Sequence, residues 1–352
     1  MPETMSNVLP PTMKDVAHAA GVARSTVSLA LRNDRSIPVA TRSRIFAAAE
    51  KLGYKTNPLV AALMSSLHAR RVSNRHTVLA YVTSDPENAP WRNYRVFQEM
   101  REGAEQRANE LGYRLEEFPM RTTGMTAPRF VQILRARGIL GLLIAPLPWG
   151  ERTIDLEMSE FAVVGTDMSV ASPSIERVSN DHFQSAALAV EQCRALGYRR
   201  IGLVVSKNVS ERLEHRWLSG FYLAQQNIPD AQRVRPLFPQ KTSDIAHALP
   251  EWYKQENPDV VIMGEINPHG HYPLPPKVGM VSLSIEEPAR GNLTGIFQDN
   301  RRIGAIALEH LVARLERCEF GTDDRGRLHL LAGRWEVGTT APGRGVERQQ
   351  LI

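Results

Sequence analysis

From Thr77 onward, short apolar runs alternate regularly with amphipathic helical patterns. Of all the patterns in the 352 residues, this alternation most strongly limits the possible folds. Strands that alternate with helices pair in parallel, and a parallel sheet needs helices on both of its faces. We therefore expect residues 76–342 to form an α/β body of two lobes with parallel sheets. The apolar runs are "TVLAYVTSD", "YRLEEFPM", "LGLLIAPL", "FAVVGTD", "RIGLVVS", "DVVIMGE" and "VGMVSLS", and the helical patterns include "HFQSAALAVEQCRALGY" and "RRIGAIALEHLVARLER".

The net positive charge is confined to the first fifth of the chain. Residues 1–76 hold 11 Lys or Arg and 4 Asp or Glu, a net charge of +7, whereas the other 276 residues hold 32 and 34, a net charge of −2. A small basic module on a near-neutral body indicates a polyanion partner for that module alone. On charge alone, a chance asymmetry of a solvated surface is the alternative.

Cysteine content and hydropathy indicate the cellular compartment in which the protein functions. Cys193 and Cys318 form no CxxC pair and no disulfide framework, which is typical of a reducing environment. The N-terminus lacks a basic stretch followed by an apolar one, and no apolar run approaches the length of a membrane-spanning helix. We therefore expect a soluble, cytoplasmic protein with no membrane partner.

The common catalytic and cofactor motifs G-x-S-x-G, Walker A, G-x-G-x-x-G and H-E-x-x-H do not occur in the sequence. His269 and His271 lie close together in "NPHGHYPLPP", but no carboxylate or cysteine cluster completes a metal site there, and the prolines indicate a loop. The segment "GTDDRGRLHL" also reads as a turn-rich loop. We expect no enzyme activity, no cofactor and no metal.

The stretch "DVAHAAGVARSTVSLALRN", residues 15–33, predicts two short helices joined by a tight turn. Thr12 and Asp15 resemble a capping box, and Gly21 can adopt the positive φ that the turn needs. Small residues let such helices approach closely, as in a helix-turn-helix whose second helix enters a major groove. The predicted inward-facing residues are Val16, Ala19 and Ala20, then Val27, Ala30 and Leu31, and, on a third helix, Ile45, Ala48, Ala49 and Leu52.

Residues 12–64 resemble the DNA-binding head of the lac-repressor (LacI/GalR) transcriptional regulators. The marks of the resemblance are the ordered D-V-A…A-G-V…T-V-S run, the T-R-x-R-I segment and the L-G-Y…N-P ending. "LGYRRIGLV" and "QDN…IG…A" extend it over nearly the whole chain. The resemblance implies an all-α helix-turn-helix head at 1–56, a hinge helix and linker at 57–75, a periplasmic-binding-protein-like effector-binding and dimerisation domain at 76–342, and a tail at 343–352.

The resemblance implies that the second helix contacts the bases of the DNA. Arg24 matches a position that contacts base edges, and an arginine can bond guanine O6 and N7 together. Ser25 at the next such position is permissive, and Leu29 can touch at most a thymine methyl group. Thr26, Ser28 and Arg32 match positions at or near phosphates, which orient the helix without reading sequence. The full predicted DNA-binding set is Thr12, Arg24, Ser25, Thr26, Ser28, Leu29, Arg32, Pro58, Leu63 and Met64.

The segment "KTNPLVAALMSSLHARR", residues 55–71, is the predicted hinge. Pro58 suits the first turn of a helix. The resemblance implies a helix that folds when two copies meet in the minor groove, where a leucine opens a base step. Ser65 stands at the usual leucine position, so Leu63, Met64 or Leu67 would have to substitute for it in a changed register. An ordinary amphipathic connector is the alternative.

Polar residues at strand ends predict a ligand cleft between the lobes. Asp167 ends "VVGTD", Glu265 ends "VVIMGE" and Ser284, where an aspartate is common in the family, ends "MVSLS". Carboxylates and an arginine can bond several hydroxyls, and a tryptophan face can stack on a sugar or base. Trp217 stands where a ligand-binding arginine is common, with Arg216 one place off. The predicted effector-binding set is Trp91, Tyr94, Asp167, Arg216, Trp217, Glu265, Ser284, Asp299 and Asn300.

Together these features predict a DNA-binding transcriptional regulator, foremost a repressor, switched by a sugar-like effector bound between the lobes. Two heads of a homodimer would read a pseudo-palindromic operator in double-stranded DNA. No heptad helix follows Arg334, which favours a dimer over a tetramer. The alternative is a solute-binding transport component without DNA function, which would need a signal peptide and no helix-turn-helix.

Overall fold

The computed structural model contains three short N-terminal helices and two α/β lobes. It describes residues 11–31, 37–54, 77–84, 90–264, 272–322 and 325–344. Within these ranges, no helix is both long and apolar enough to cross a membrane. The helical head and the two largely parallel sheets confirm the fold class expected from the sequence.

The N-terminal helices pack around a small apolar core. They are α1 (Met13–Ala20), α2 (Arg24–Leu31) and α3 (Val39–Leu52). The hydroxyl and the backbone N–H of Thr12 each donate to Asp15 Oδ2 at 2.7 Å, which fixes the start of α1 and lowers the pKa of Asp15. Gly21 ends α1 at φ 60°, in the left-handed region that the predicted turn requires.

The buried face of the head differs from the prediction at three positions. Ala17 is buried and Ala19 is exposed, because α1 packs against both α2 and α3 and its buried arc therefore includes the adjacent positions 16 and 17. Leu52 lies in the last turn of α3 and keeps 38% of its surface exposed. The other predicted inward residues are buried or half-buried: Val16, Ala20, Val27, Ala30, Leu31, Ile45, Ala48 and Ala49.

The first lobe is a parallel sheet of six strands in the order β10-β5-β4-β3-β1-β2. The strands are β1 (Thr77–Thr83), β2 (Tyr113–Pro119), β3 (Gly141–Ile144), β4 (Ala162–Gly165), β5 (Glu176–Asn180) and β10 (Leu328–Leu331). A short helix, α4 (Pro90–Asn93), precedes α5 (Arg95–Glu110), which packs on one face beside α11 (Asn300–Glu316). The opposite face is covered by α6 (Ala127–Ala136).

The second lobe is a sheet of five strands in the order β11-β9-β8-β7-β6. The strands are β6 (Ile201–Val204), β7 (Val260–Met263), β8 (Gly279–Ile285), β9 (Thr294–Phe297) and β11 (Arg334–Glu336), and only β11 runs antiparallel to its neighbour. One face is covered by α7 (His182–Ala195) and α9 (Arg216–Gln225), and the other by α10 (Ile245–Glu256). A short helix, α8 (Lys207–Arg212), follows β6 directly.

The chain passes between the lobes three times, after β5, after β9 and after β10. At the first two passages a strand of one lobe leads at once into a helix of the other. Asp181 caps α7 by accepting from the N–H of Gln184 at 3.0 Å, and Asp299 caps α11 by accepting from the N–H of Arg302 at 3.2 Å. Because the strands are parallel, their carboxyl ends gather at one edge of each sheet, where a ligand cleft is expected.

Helices α5 and α11 approach each other at two glycines. A Cβ at Gly304 would lie 1.7 Å from the carbonyl oxygen of Met100, and a Cβ at Gly103 would lie 1.9 Å from that of Arg301. These neighbours are backbone atoms, which cannot move aside without separating the helices.

We expect Gly304→Ala to lower the free energy of unfolding by about 1–3 kcal/mol, because the added methyl group overpacks the helix pair. Alanine favours an isolated helix over glycine by about 1 kcal/mol, so a loss of stability would show that packing outweighs propensity. Urea denaturation of the full chain measures the change, with Gln106→Ala on the exposed side of α5 as the control. A Gly304→Ala protein as stable as wild type would contradict this account of the helix contact.

Candidate functional site

A buried ion pair joins the two lobes across their cleft. Asp167 lies two residues beyond β4 in the first lobe, and Arg212 is the last residue of α8 in the second. Arg212 Nη2 lies 2.6 Å from Asp167 Oδ2, and both side chains are more than nine-tenths buried. Arg212 Nη1 also donates to the carbonyl oxygen of Leu147 at 2.8 Å. One guanidinium of the second lobe therefore binds the loops that follow β3 and β4 of the first.

Asp167 lies in the cleft as predicted, but both of its carboxylate oxygens are engaged within the protein. Oδ1 accepts from the N–H of Ser169 at 2.8 Å and from its hydroxyl at 2.5 Å, while Oδ2 takes the guanidinium of Arg212. A ligand hydroxyl can therefore reach Asp167 only by sharing or displacing one of these bonds. Sequence reasoning missed Arg212, although its place in the segment that follows a strand end was a usable signal.

Aromatic side chains of the first lobe surround the Arg212 guanidinium. Its Cζ lies 4.8 Å from the ring centroid of Trp149 and 5.2 Å from that of Phe97. The ring of Tyr94 packs edge-on against both, with centroids 5.6 and 5.9 Å away, and Tyr94 keeps 38% of its surface exposed. Such cation–π contacts stabilise a buried guanidinium. Tyr94 was predicted at the cleft, whereas Trp149 and Phe97 were not.

His182 and Trp217 form a buried aromatic pair in the second lobe. Their rings meet nearly perpendicular at 5.1 Å, and Trp217 is only 4% exposed. Its indole lies against the backbone of Gly264, where a Cβ would be 2.9 Å from the ring. Among the described residues, neither His182 Nδ1 nor Trp217 Nε1 has a hydrogen-bond partner. An unsatisfied buried polar group costs about 1–3 kcal/mol, so both atoms favour a bound polar molecule.

Arg216 belongs to a second group of charges between the lobes. Its Nη2 lies 3.6 Å from Glu214, whose carboxylate is also 3.7 Å from Arg152 and 3.4 Å from Arg177 of the first lobe. Arg152 further donates to the carbonyl oxygens of Glu211 and Arg212 at 2.6 and 3.0 Å. These contacts flank the buried pair of Asp167 with Arg212 and add to the junction of the lobes.

The remaining cleft candidates in the described ranges lie at the chain crossings or on β8. The carboxylate of Asp299 caps α11, and Asn300 is buried, accepting from Asn180 Nδ2 and donating to Glu99 Oε2, both at 3.2 Å. Ser284 is half-buried near the end of β8, and its N–H donates to the hydroxyl of Ser282 at 3.1 Å. The structure thus brings Asn300 together with Glu99, a residue that sequence reasoning did not select.

The candidate DNA-binding surface is the exposed side of α2. Arg24 at its first turn is exposed, and Thr26 is half-exposed. Leu29, which was predicted to contact DNA, is half-buried against the head core beside the inward-facing Ala30. Thr12 is exposed, with its hydroxyl engaged in the α1 cap. Outside the described residues lie Arg32, Pro58, Leu63, Met64 and Glu265, together with the side chains of Ser25, Ser28 and Trp91.

Two sequence families match this arrangement of a helical head and a two-lobed body. Residues 12–57 match "Bacterial regulatory proteins, lacI family", and residues 75–267 match "Periplasmic binding proteins and sugar binding domain of LacI family". The transcriptional regulator MalR of Streptococcus pneumoniae is 28% identical over 200 residues, which cover 56% of this chain and 57% of MalR. The transcriptional repressor PurR of Aliivibrio salmonicida is 24% identical over 324 residues, covering 87% and 92%.

Solved structures share the fold. A Lac repressor dimer bound to operator and the anti-inducer ONPF superposes with a TM-score of 0.53 at 18% identity, covering 95% of this chain and 100% of that one. A CelR–cellobiose complex gives 0.51 at 18% identity, covering 94% and 100%.

The head and the lobes define the class of two-part regulatory proteins that join a helix-turn-helix to a periplasmic-binding-protein-like body. The family match to the body spans more than half of the chain, and the match to the head precedes it. The chain belongs to the LacI family. It spans a little over half the length of MalR.

Burial lowers the pKa of His182 from 6.5 to about 3, against a smaller opposite effect of Asp167. Below about pH 6.5 the unfolded chain therefore binds a proton that the folded chain does not accept until about pH 3. The free energy of unfolding should fall as pH decreases through this window, by up to about 1.4 kcal/mol per pH unit from this residue. Urea denaturation between about pH 7 and pH 5 measures the slope.

His182→Gln should flatten the slope, and the exposed His247→Gln should leave it unchanged. Equal slopes for wild type and His182→Gln would mean that the folded protein accepts a proton at His182.

Proposed function

We propose that the protein is a sequence-specific DNA-binding transcriptional repressor whose operator affinity is controlled by a small molecule bound between its lobes. One observation carries this proposal. The same chain contains a helical head that exposes Arg24 on α2 and a body of two lobes joined by Asp167 and Arg212. Its relatives are named as transcriptional regulators, which supports a regulatory role rather than an enzymatic one. The helical head disfavours a transport component, and a repressor would act in the cytoplasm, where the DNA is.

The head has the form that DNA recognition requires. Val27 and Ala30 pack α2 against the head core and leave Arg24 exposed at the N-terminal turn. In a helix-turn-helix, this turn of the second helix contacts base edges in the major groove. The net charge of +7 over residues 1–76 favours the phosphate backbone. A homodimer would present two such heads to a pseudo-palindromic operator.

The cleft favours a sugar or a related polar metabolite. Asp167 and Arg212 can bond hydroxyls, the buried nitrogens of His182 and Trp217 can bond further polar atoms, and Tyr94 offers a partly exposed ring. A small number of polar groups surrounded by aromatic side chains is typical of small-molecule sites. Structures of the same fold are described with bound cellobiose and with bound ribose, which supports this class of ligand.

The junction of the lobes offers a way to couple the ligand to the head. A molecule that bonds Asp167 or Arg212 competes with their pairing, so its affinity depends on how the lobes are placed. A ligand shifts a conformational equilibrium by its difference in affinity for the two states. In the sequence the head is joined to β1 of the first lobe, so the first lobe is the part of the body through which a ligand would act on the head.

Arg24→Ala should lower affinity for specific DNA by roughly 1–3 kcal/mol and relax the preference at one base pair of each half-site, because it removes a guanine contact. Selection of bound oligonucleotides, followed by titration at several salt concentrations, measures both effects. Arg44→Ala is the matched control, since Arg44 is an exposed arginine on α3 of the same head.

An unchanged selected motif for Arg24→Ala, with a uniform loss of affinity, would place Arg24 on the phosphate backbone. Base reading would then lie elsewhere, at Ser25 or in the hinge.

Asp167→Asn should weaken effector binding by about 10- to 100-fold, because it removes a charged hydrogen-bonding partner. DNA affinity is measured with and without effector, because the same substitution also removes the carboxylate that pairs with Arg212 between the lobes. A thermal-shift screen of sugars, sugar acids and nucleobases identifies the effector, and calorimetry gives its affinity. Glu157→Gln, an exposed carboxylate of the same lobe bonded to the N–H of Ser159, is the control. Wild-type effector affinity in Asp167→Asn would remove Asp167 from the site.

A further inference from the structure

A compact group of ionisable side chains lies at the opposite edge of the first lobe from the cleft. Glu176 is the first residue of β5, His329 the second residue of β10, and His310 lies in the middle of α11. Strands β5 and β10 are parallel neighbours in which His329 pairs with Val178, so Glu176 and His329 point to the same face of the sheet. Helix α11 packs on this face and brings His310 to them.

Both imidazoles converge on one carboxylate oxygen. His310 Nδ1 lies 2.7 Å and His329 Nε2 lies 2.9 Å from Glu176 Oε1, and the two ring centroids are 4.0 Å apart. One ligand atom from each of the three residues falls within a 4.8 Å cluster. The other oxygen, Oε2, is held at 3.2 Å by Arg314, which also donates to the carbonyl oxygen of Gly321 at 3.1 Å. The convergent atoms are therefore held on three separate elements.

We propose that Glu176, His310 and His329 bind one divalent transition-metal ion, with zinc as the best-matched ion. Two imidazole nitrogens and one carboxylate oxygen form a ligand set that zinc accepts, with water as the fourth ligand. The histidine side chains are 30% and 36% exposed, which leaves a path for the ion and that water. Glu176 is 3% exposed and provides the anchored, negatively charged ligand.

The protonation states suit this ligand set. Burial raises the pKa of Glu176, but hydrogen bonds from His310, Arg314 and His329 outweigh it and hold that pKa below the usual range. The carboxylate is therefore ionised at neutral pH. Zinc binds an imidazole through a ring nitrogen that carries no proton, so an imidazole nitrogen that donates to Glu176 must give up that hydrogen bond when the ion enters.

The geometry needs a local adjustment of the three ligand atoms, which all lie within 4.8 Å of one another. Zinc ligands at about 2.0–2.2 Å from a tetrahedral ion stand about 3.3 Å apart, so the two contacts to Oε1 must open by about half an ångström. Arg314 keeps Oε2 engaged, which makes the carboxylate a single-oxygen ligand and orients it as outer partners of metal sites do. The bound ion would connect β5, β10 and α11, the helix that begins at the second chain crossing.

The test is zinc binding by the full-length protein without a histidine tag, measured by competition with a chelating indicator and by metal content after dialysis. We expect one ion per chain in wild type. Loss of a residue that only supports a metal ligand weakens binding by roughly 10- to 100-fold. His310→Ala and His329→Gln each remove a ligand itself, so each should weaken zinc binding by at least that factor. Both histidines are partly exposed, so these variants should fold even if Glu176→Gln does not.

The matched control removes the other neighbouring pair of histidines in the sequence. The double variant His269→Ala, His271→Ala should keep the ion. Replacing zinc with cobalt should give visible absorption bands typical of a four-coordinate site in wild type and in this control, and none of them in His310→Ala. Wild-type protein that retains no zinc, or His310→Ala protein that retains as much as wild type, would overturn the proposal and leave a hydrogen-bonded cluster only.

Discussion

The two lobes depend on a buried hydrogen-bond network where the chain crosses between them. Asn180 Nδ2, at the end of β5, donates to Gln298 Oε1 at 2.9 Å and to Asn300 Oδ1 at 3.2 Å, and Gln298 Nε2 donates to the carbonyl oxygen of Leu283 at 2.8 Å. Losing one partner would leave buried amides unsatisfied, which costs more than the bond itself contributes. The caps of α7 and α11, Asp181 and Asp299, are the chain neighbours of Asn180 and Asn300 in this network.

Helices that begin at the chain crossings carry residues of both the cleft and the histidine cluster. Helix α7 begins with His182, which packs against Trp217 within the second lobe, whereas α11 carries His310 to Glu176 and His329 at the far edge of the first lobe's sheet. The pair of Asp167 with Arg212 is a different kind of contact, because burying two charges costs solvation that their attraction only partly offsets. A buried pair is therefore weak evidence for stability, but this pair does place α8 of the second lobe against the loop after β4 of the first.

The sequence predicted the elements that have a strong local pattern. The apolar runs became β1 to β4 and β6 to β8, but β5, β9, β10 and β11 were missed because they are short or polar. Strand β10 also corrects the prediction of a loop for "GTDDRGRLHL", because it begins within that segment. Strand-end reasoning found Asp167 but stopped short of Arg212, which ends the short helix that follows β6. The pairing of the two, across 45 positions, leaves no local pattern. The same holds for Glu176, which lies 134 and 153 positions from its histidines.

A tryptophan in place of an arginine at position 217 affects the shape of the cleft. Trp217 stands where the family commonly has a ligand-binding arginine, and its indole is too large and apolar to remain exposed there. It turns inward against His182 and the backbone of Gly264, where even a Cβ would approach it to 2.9 Å. The guanidinium comes instead from Arg212, at the end of the preceding helix, and it is fixed by Asp167 and the rings of Trp149 and Phe97. The buried guanidinium of this region is thus that of Arg212, while position 217 contributes an inward-facing indole.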